Sequence, residues 1–285
     1  MESELWPVVY QIVMDAGKGR EVKDVTYPDV RIALVYFWAV MHDRPVSWAC
    51  RPVNWPRATR REGVPVPSTM SRRMRTPSIR RLLEEIERRL RNRFGQSWCK
   101  WIDGKPLPVG HSSHDRHARS GYGDGGLAKG YKLYAVCDAS GVLDAWRLLP
   151  MNVNEKTVAK SLVRHTPGEG YLVGDALYDS SGLYDEAARW GFRWVAPRQQ
   201  DGDLGHHYQS PHRLSAMDLL ARPFGQALMH QRYDIDRFFG HLTSFGGGLS
   251  PLPNWVRTYP RVRLWVHAKI ILNMIRIWLR RPRVA

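Results

Sequence analysis

The stretch GYLVGDALYDSSGLYDEAARWGFRWVAPR, residues 170–198, reads as strand, acidic strand end, helix, strand. Tyr171, Leu172 and Val173 form a short apolar run that stops at Gly174-Asp175. Residues 180–190 carry Leu183, Ala187 and Trp190 at helical spacing, and 192–196 is a second apolar run of strand length. A β-α-β unit is normally right-handed, with its two strands parallel in one sheet. That places Asp175 at the carboxyl end of a buried strand, where open α/β sheets keep their ligand sites. Aspartate is almost never buried without a partner. Asp175 therefore either caps the following helix or holds something cationic. Asp179 and Ser180 are better placed to cap, which leaves Asp175 for the second role.

The pattern recurs upstream. Residues 98–103, WCKWID, read as another strand ended by an acid. Residues 131–137 and 142–149 flank Asp138-Ala-Ser-Gly141, a strong hairpin signal that gives Asp138 and Asp144 structural roles. Residues 154–165 form a crossover helix with Val158, Leu162 and His165 on one face. Acid-ended strand, hairpin strands, helix, acid-ended strand, helix, strand is the order of an RNase H-like fold. The expectation is an α/β domain with a mixed five-stranded sheet and flanking helices. Residues 199–229 fit no element, and a helix resumes at Arg232 and ends near Ser244.

The amino-terminal third is different in style. Residues 30–42 read as a buried helix, 67–74 as a short basic helix with Ser68 as its N-cap, and 78–94 as a helix with a Leu82, Leu83, Ile86, Leu90 stripe. Between Arg57 and Arg93 there are twelve Lys and Arg against four Glu. Helix, turn, short basic helix, helix outlines a helix-turn-helix-like module, with Ser71, Arg72 and Arg73 its candidate DNA contacts. The expected division is 1–96, a small all-α DNA-binding region, and 97–285, the catalytic domain with a basic carboxyl-terminal helix.

Composition supports a polyanionic partner. A chain of 285 residues with net charge +16, pI near 10.1 and 12 Trp and 12 Tyr beside 43 Lys and Arg favours nucleic acid. It has no run of eighteen uncharged apolar residues and no amino-terminal signal pattern, which argues against a membrane. Three cysteines without a CxxC pair read as reduced thiols of a cytoplasmic, nucleoid-associated protein. His111, His114 and His117 have no cysteine cluster beside them, so they border a DNA path or face solvent rather than bind zinc. The Gly-rich 121–126 lacks the following Lys-Ser/Thr of a phosphate loop. Trp55 and Trp98 are the tryptophans expected at the surface.

Phosphoryl transfer on DNA needs about three carboxylates converging on divalent cations. Oxygen donors on rigid strand ends suit Mg²⁺ or Mn²⁺. Asp103 and Asp175 supply two if their strands are neighbours. Asp236 is the best third, four residues after Arg232 on the same helix face, with Asp234 turned elsewhere. Arg232 either contacts a phosphate or pairs with Asp236.

Trp101-Ile-Asp-Gly-Lys105, Gly130-Tyr-Lys-Leu133, Gly174-Asp-Ala-Leu-Tyr-Asp179 and Arg232-x3-Asp236-Arg-Phe-Phe resemble the DDE-type transposases of bacterial insertion sequences. The resemblance runs from about Trp98 to the carboxyl terminus. It implies cleavage and strand transfer at the ends of the element, two divalent ions, and a homodimer on double-stranded transposon ends and target DNA. It matches Asp103 and Asp175 to the catalytic aspartates and sets Asp236 where the family has glutamate. It also makes Lys105, Arg232 and Arg237 candidate DNA contacts. The family's third-helix signature, Tyr-x2-Arg-x3-Glu-x6-Lys, here holds Met229, Arg232, Asp236 and Thr243. Those departures keep open a decayed or domesticated transposase that only binds DNA. An RNase H-like nuclease that cuts without joining is a further alternative.

Overall fold

Strand β1 (Cys99–Pro108) is the element to which both halves of the sheet attach. The computed structural model describes residues 2–19, 25–56, 63–123, 125–200, 204, 207–244, 249 and 252–281. Within these, 94–241 form one unit, and 1–93 with 242–285 form another. The basic residues of 57–62 and the side chain of Asp234 lie outside the described residues.

In the first unit β1 is followed by β2 (Arg119–Gly123), β3 (Gly126–Asp138), β4 (Leu143–Pro150), β5 (Gly170–Val173) and β6 (Phe192–Val195). β3 pairs antiparallel with β1, β2 and β4, while β1 pairs parallel with β5 and β5 with β6. The five expected strands are all present. β2 is a sixth, folded from the Gly-rich segment that reads as a loop: glycines carry no side chains, so the period-2 alternation that marks a strand is blank there. The turn between β3 and β4 closes where the Gly141 amide donates to the Asp138 carbonyl (2.9 Å) and the Ser140 amide to the Asp138 carboxylate (2.8 Å).

Helices α6 (Glu155–His165) and α7 (Ser181–Arg189) cross over between strands. Val158, Leu162, Leu183, Tyr184 and Ala187 pack with Ile102, Tyr134, Leu172, Phe192 and Trp194 into one core. Each such side chain contributes about 1.5–3 kcal/mol by leaving water. Residues 199–229, unassigned by pattern, contain α8 (Pro211–Leu220) and α9 (Pro223–Gln231). In α8 Ala216 is buried and no apolar stripe surrounds it, so no helical period is visible in the sequence. α10 (Tyr233–Ser244) follows and reaches the boundary of the unit.

The second unit is helical: α1 (Glu2–Gly17), α2 (Asp29–Met41), α3 (Val46–Ala49), α4 (Pro67–Arg73), α5 (Pro77–Arg91) and α11 (Tyr259–Arg280). α2 is buried almost throughout, and α5 buries the expected Leu82, Leu83, Ile86 and Leu90. α11 packs with α1, α2 and α5. From pattern it goes with the sheet; its buried polar residues show where it belongs, since His267 meets Glu87 of α5 (2.7 Å) and Lys269 meets Asp43 just after α2. α4 starts at Pro67 beside Val66, and Ser68 does not cap it. Trp55 is 3% exposed and donates to the Ala49 carbonyl (2.7 Å), whereas Trp98 is 54% exposed as expected. Cys50, Cys99 and Cys137 are in no disulfide. No helix among the described residues is long and apolar enough to cross a membrane.

Candidate active site

The site is set by sheet register. Parallel pairing matches Cys99 with Tyr171, Lys100 with Leu172 and Trp101 with Val173. Asp103 and Asp175 each lie two residues beyond the last of these pairs. Asp103 is not at a strand end, because β1 runs on to Pro108 against β3. It is the parallel partner, β5, that stops, at Val173. Gly174 is closely packed there: a Cβ at this position would lie 3.2 Å from both the Trp194 and the Tyr178 side chains.

The Asp103 carboxylate accepts one hydrogen bond, from the Gly104 amide (2.7 Å). Burial pushes its pKa up to about 6 against that bond, and the charges of Asp175, Asp236 and Glu155 push the same way. Asp175 is also raised, first by burial and then by Glu155. Amide bonds from Leu177 and Tyr178 and the charge of Arg232 oppose the rise. Three carboxylates thus act on Asp103 at once, and Asp236 of α10 is among them.

The capping roles are the reverse of those expected. Asp175 caps the 3₁₀ turn Ala176–Tyr178, accepting from the Leu177 amide (2.8 Å). Ser180 precedes α7 without a side-chain bond, and Asp179 ends the 3₁₀ turn rather than starting α7. Asp179 instead grips Arg213 with two bonds of 2.6 Å and accepts from the Gln199 amide (3.2 Å). Burial alone would raise the Asp179 pKa, yet Arg213 holds it below the ordinary carboxylate value. Capping leaves Asp175 further lone pairs, so it does not exclude a cation.

Arg232 and Asp236 do not share one unbroken helix: α9 ends at Gln231, Arg232 is its cap, and α10 begins at Tyr233. The charge of Arg232 acts on Asp175 rather than only on Asp236. Tyr178 and Glu155 also interact with these acids through their charges and surroundings. Tyr178 is buried, and its phenol pKa is raised well above normal, first by burial and then by Glu155, Asp103 and Asp175. Glu155 opens α6 and pairs with Lys132 of β3. A glutamate in the first turn of a helix reads as dipole compensation, and only the fold shows what it faces.

Of the candidate DNA contacts, Lys105 follows Asp103 by two residues on β1, and Arg237 is exposed on α10. Ser71, Arg72 and Arg73 lie on α4 of the helical unit. Arg72 is exposed, Arg73 bonds Asp29 (2.7 Å), and the Ser71 hydroxyl accepts from Arg75 (2.8 Å). His117 stands 3.9 Å from the buried Asp115, which also binds the Tyr131 hydroxyl (2.9 Å). Among the described residues, no three His, Cys, Asp or Glu side chains stand close enough together to hold a metal ion as they are.

A mixed sheet of this order, flanked by helices, is an RNase H-like domain of the DDE class. Residues 95–272, more than half of the chain, match the transposase DDE domain family, and the chain belongs to that family. No curated protein and no solved structure matches it. DDE transposases generally use divalent metals and act on DNA. Carboxylate oxygens, the kind of donor that Asp103, Asp175 and Asp236 carry, suit Mg²⁺ or Mn²⁺.

Proposed function

We propose that this chain is a working transposase that cuts DNA at the ends of its insertion sequence and joins them to a target, with Asp103, Asp175 and Asp236 as the catalytic carboxylates. The observation that carries the reading is that Asp103 and Asp175 each lie two residues beyond the last β1–β5 pair, Trp101 with Val173, and that the charges of Asp175 and Asp236 both raise the Asp103 pKa. Divalent cations held there, two of them, would lower the pKa of the attacking water and stabilise the leaving oxygen. The aspartates supply the oxygens. They repel one another as they stand, and a cation of charge two is what would draw them together. Aspartate at position 236 is one methylene shorter than the family's glutamate, so α10 must approach more closely. Arg232, whose charge acts on Asp175, would meet a phosphate oxygen.

The reaction breaks the bond between a phosphorus and the 3′-oxygen of the element, leaving a 3′-hydroxyl. That hydroxyl then attacks a target phosphate and displaces another 3′-oxygen. The exposed Arg72 and its neighbours on α4 would hold the duplex backbone, and two copies of the chain would hold two ends. Strand-transfer products from a labelled duplex carrying the element's end, in Mg²⁺ or Mn²⁺, test the reading. Cleavage without joined products would reduce it to a nuclease.

A second reading, a DNA-binding protein without catalysis, has its own support. Asp236 and Thr243 replace the family's glutamate and lysine, and the three acids do not converge at ligand range among the described residues. Salt-dependent DNA binding with no divalent-dependent nicking would favour it.

A further inference from the structure

We infer that Lys132 is a positioning residue of the acid site, an internal counter-cation held in place by Glu155. This rests on the reading of Asp103, Asp175 and Asp236 as a cation site. Lys132 lies on β3 in register with Pro106 of β1, two residues before Tyr134, which is in register with Gly104. Its side chain runs back across Gly104, the residue that follows Asp103. A Cβ at position 104 would lie 2.7 Å from the Lys132 Cε, so a glycine keeps this path open. The ammonium ends on the Glu155 carboxylate and lies 5.8 Å from the centre of the Tyr134 ring. Both anchors are themselves fixed. The Tyr134 hydroxyl donates to the Val153 carbonyl (3.1 Å), and Asn154 caps the helix that Glu155 opens, accepting from the Thr157 amide (3.3 Å).

A lysine 8% exposed costs desolvation and side-chain entropy, and a purely structural pair could be replaced by apolar packing at little loss. Its location gives the ammonium a second use. Glu155 acts on both Asp103 and Asp175. Asp103, Asp175, Asp236 and Glu155 thus form a set of four carboxylates linked through their charges, with Lys132 bonded to Glu155 and Arg232 acting on Asp175 as its cations. One divalent ion balances this set, and a second leaves a net charge of plus two to face phosphate. Without Lys132 the acids would attract cations more strongly and less selectively, and Glu155 would be free to join them.

The test is Mn²⁺ titration of the full chain by calorimetry at pH 7.5, with folding checked by circular dichroism. Lys132→Met is expected to bind Mn²⁺ about tenfold more tightly, as removal of a nearby positive charge implies. Glu155→Gln is expected to bind more weakly, and Lys132→Arg to behave as wild type. If Lys132→Met does not fold, Gly104→Ala displaces the same ammonium and is expected to tighten binding too. Asp175→Asn separates the two layers of the claim. If it weakens Mn²⁺ binding while Lys132→Met and Gly104→Ala leave it unchanged, the role of Lys132 is overturned and the site stands. If Asp175→Asn has no effect, the cation site itself is wrong and this inference falls with it.

Discussion

Lys100 and Asp103 sit three residues apart on β1, and their surroundings are opposite. Lys100 is fully buried, and all three of its protons are used: on Asp144, on Gln96 (3.1 Å) and on the Pro167 carbonyl (2.9 Å). Asp103 has one amide bond and several like charges, and its pKa rises to about 6. Asp179, close in sequence to Asp175, resembles Lys100: it is matched by Arg213 and held low. A buried charge with every valence met is structural. A half-buried charge left raised among its own kind is a functional candidate.

The largest effect should come from the closed end. Lys100→Met leaves Asp144 buried without its partner, and a loss of about 3–5 kcal/mol in denaturant unfolding is expected; a loss below about 1 kcal/mol would mean the pair is slack. At the open end the sign reverses. Asp103→Asn removes an unbalanced charge and should stabilise the metal-free protein by about 1–2 kcal/mol at pH 7.5, read as a higher melting temperature. The pH dependence follows from the same shift. With the folded pKa raised from 3.8 to about 6, the folded state binds more protons than the unfolded one between those values. Stability from this group is therefore present below pH 3.8 and lost as pH rises through about 6. Melting curves of wild type minus Asp103→Asn should show that slope, and divalent affinity should fall as pH drops below it. The smallest effect belongs to the exposed helix face. Arg72→Ala should change stability by less than about 0.5 kcal/mol, yet reduce the salt slope of DNA binding by about one.

Much of the open end was legible because its signals are local. Apolar runs stopped by Asp103 and Asp175, and a turn at Asp138-Ala-Ser-Gly141, are patterns a chain carries in order. The pairing of Lys100 with Asp144 and of Lys132 with Glu155 spans 44 and 23 residues, and no period marks such contacts. Asp175, and not Asp179, turned out to cap because a 3₁₀ turn of three residues precedes α7, and turns that short carry no pattern of their own. α11 is apolar on most sides, which says that it is buried but not against what. Its Lys269 and His267 answer that only once Asp43 and Glu87 are in place.

Relaxation of supercoiled plasmid in Mg²⁺ or Mn²⁺, with wild type beside Asp103→Asn, Asp175→Asn and Asp236→Asn, tests the central claim most directly. Asparagine keeps the size of each side chain and removes the charge that would hold a cation. The expected result is nicking by wild type, abolished by chelation and by each substitution, with all four proteins folded and still bound to DNA. Nicking that survives in Asp175→Asn, or a wild type that binds DNA and never cuts it, would contradict the account.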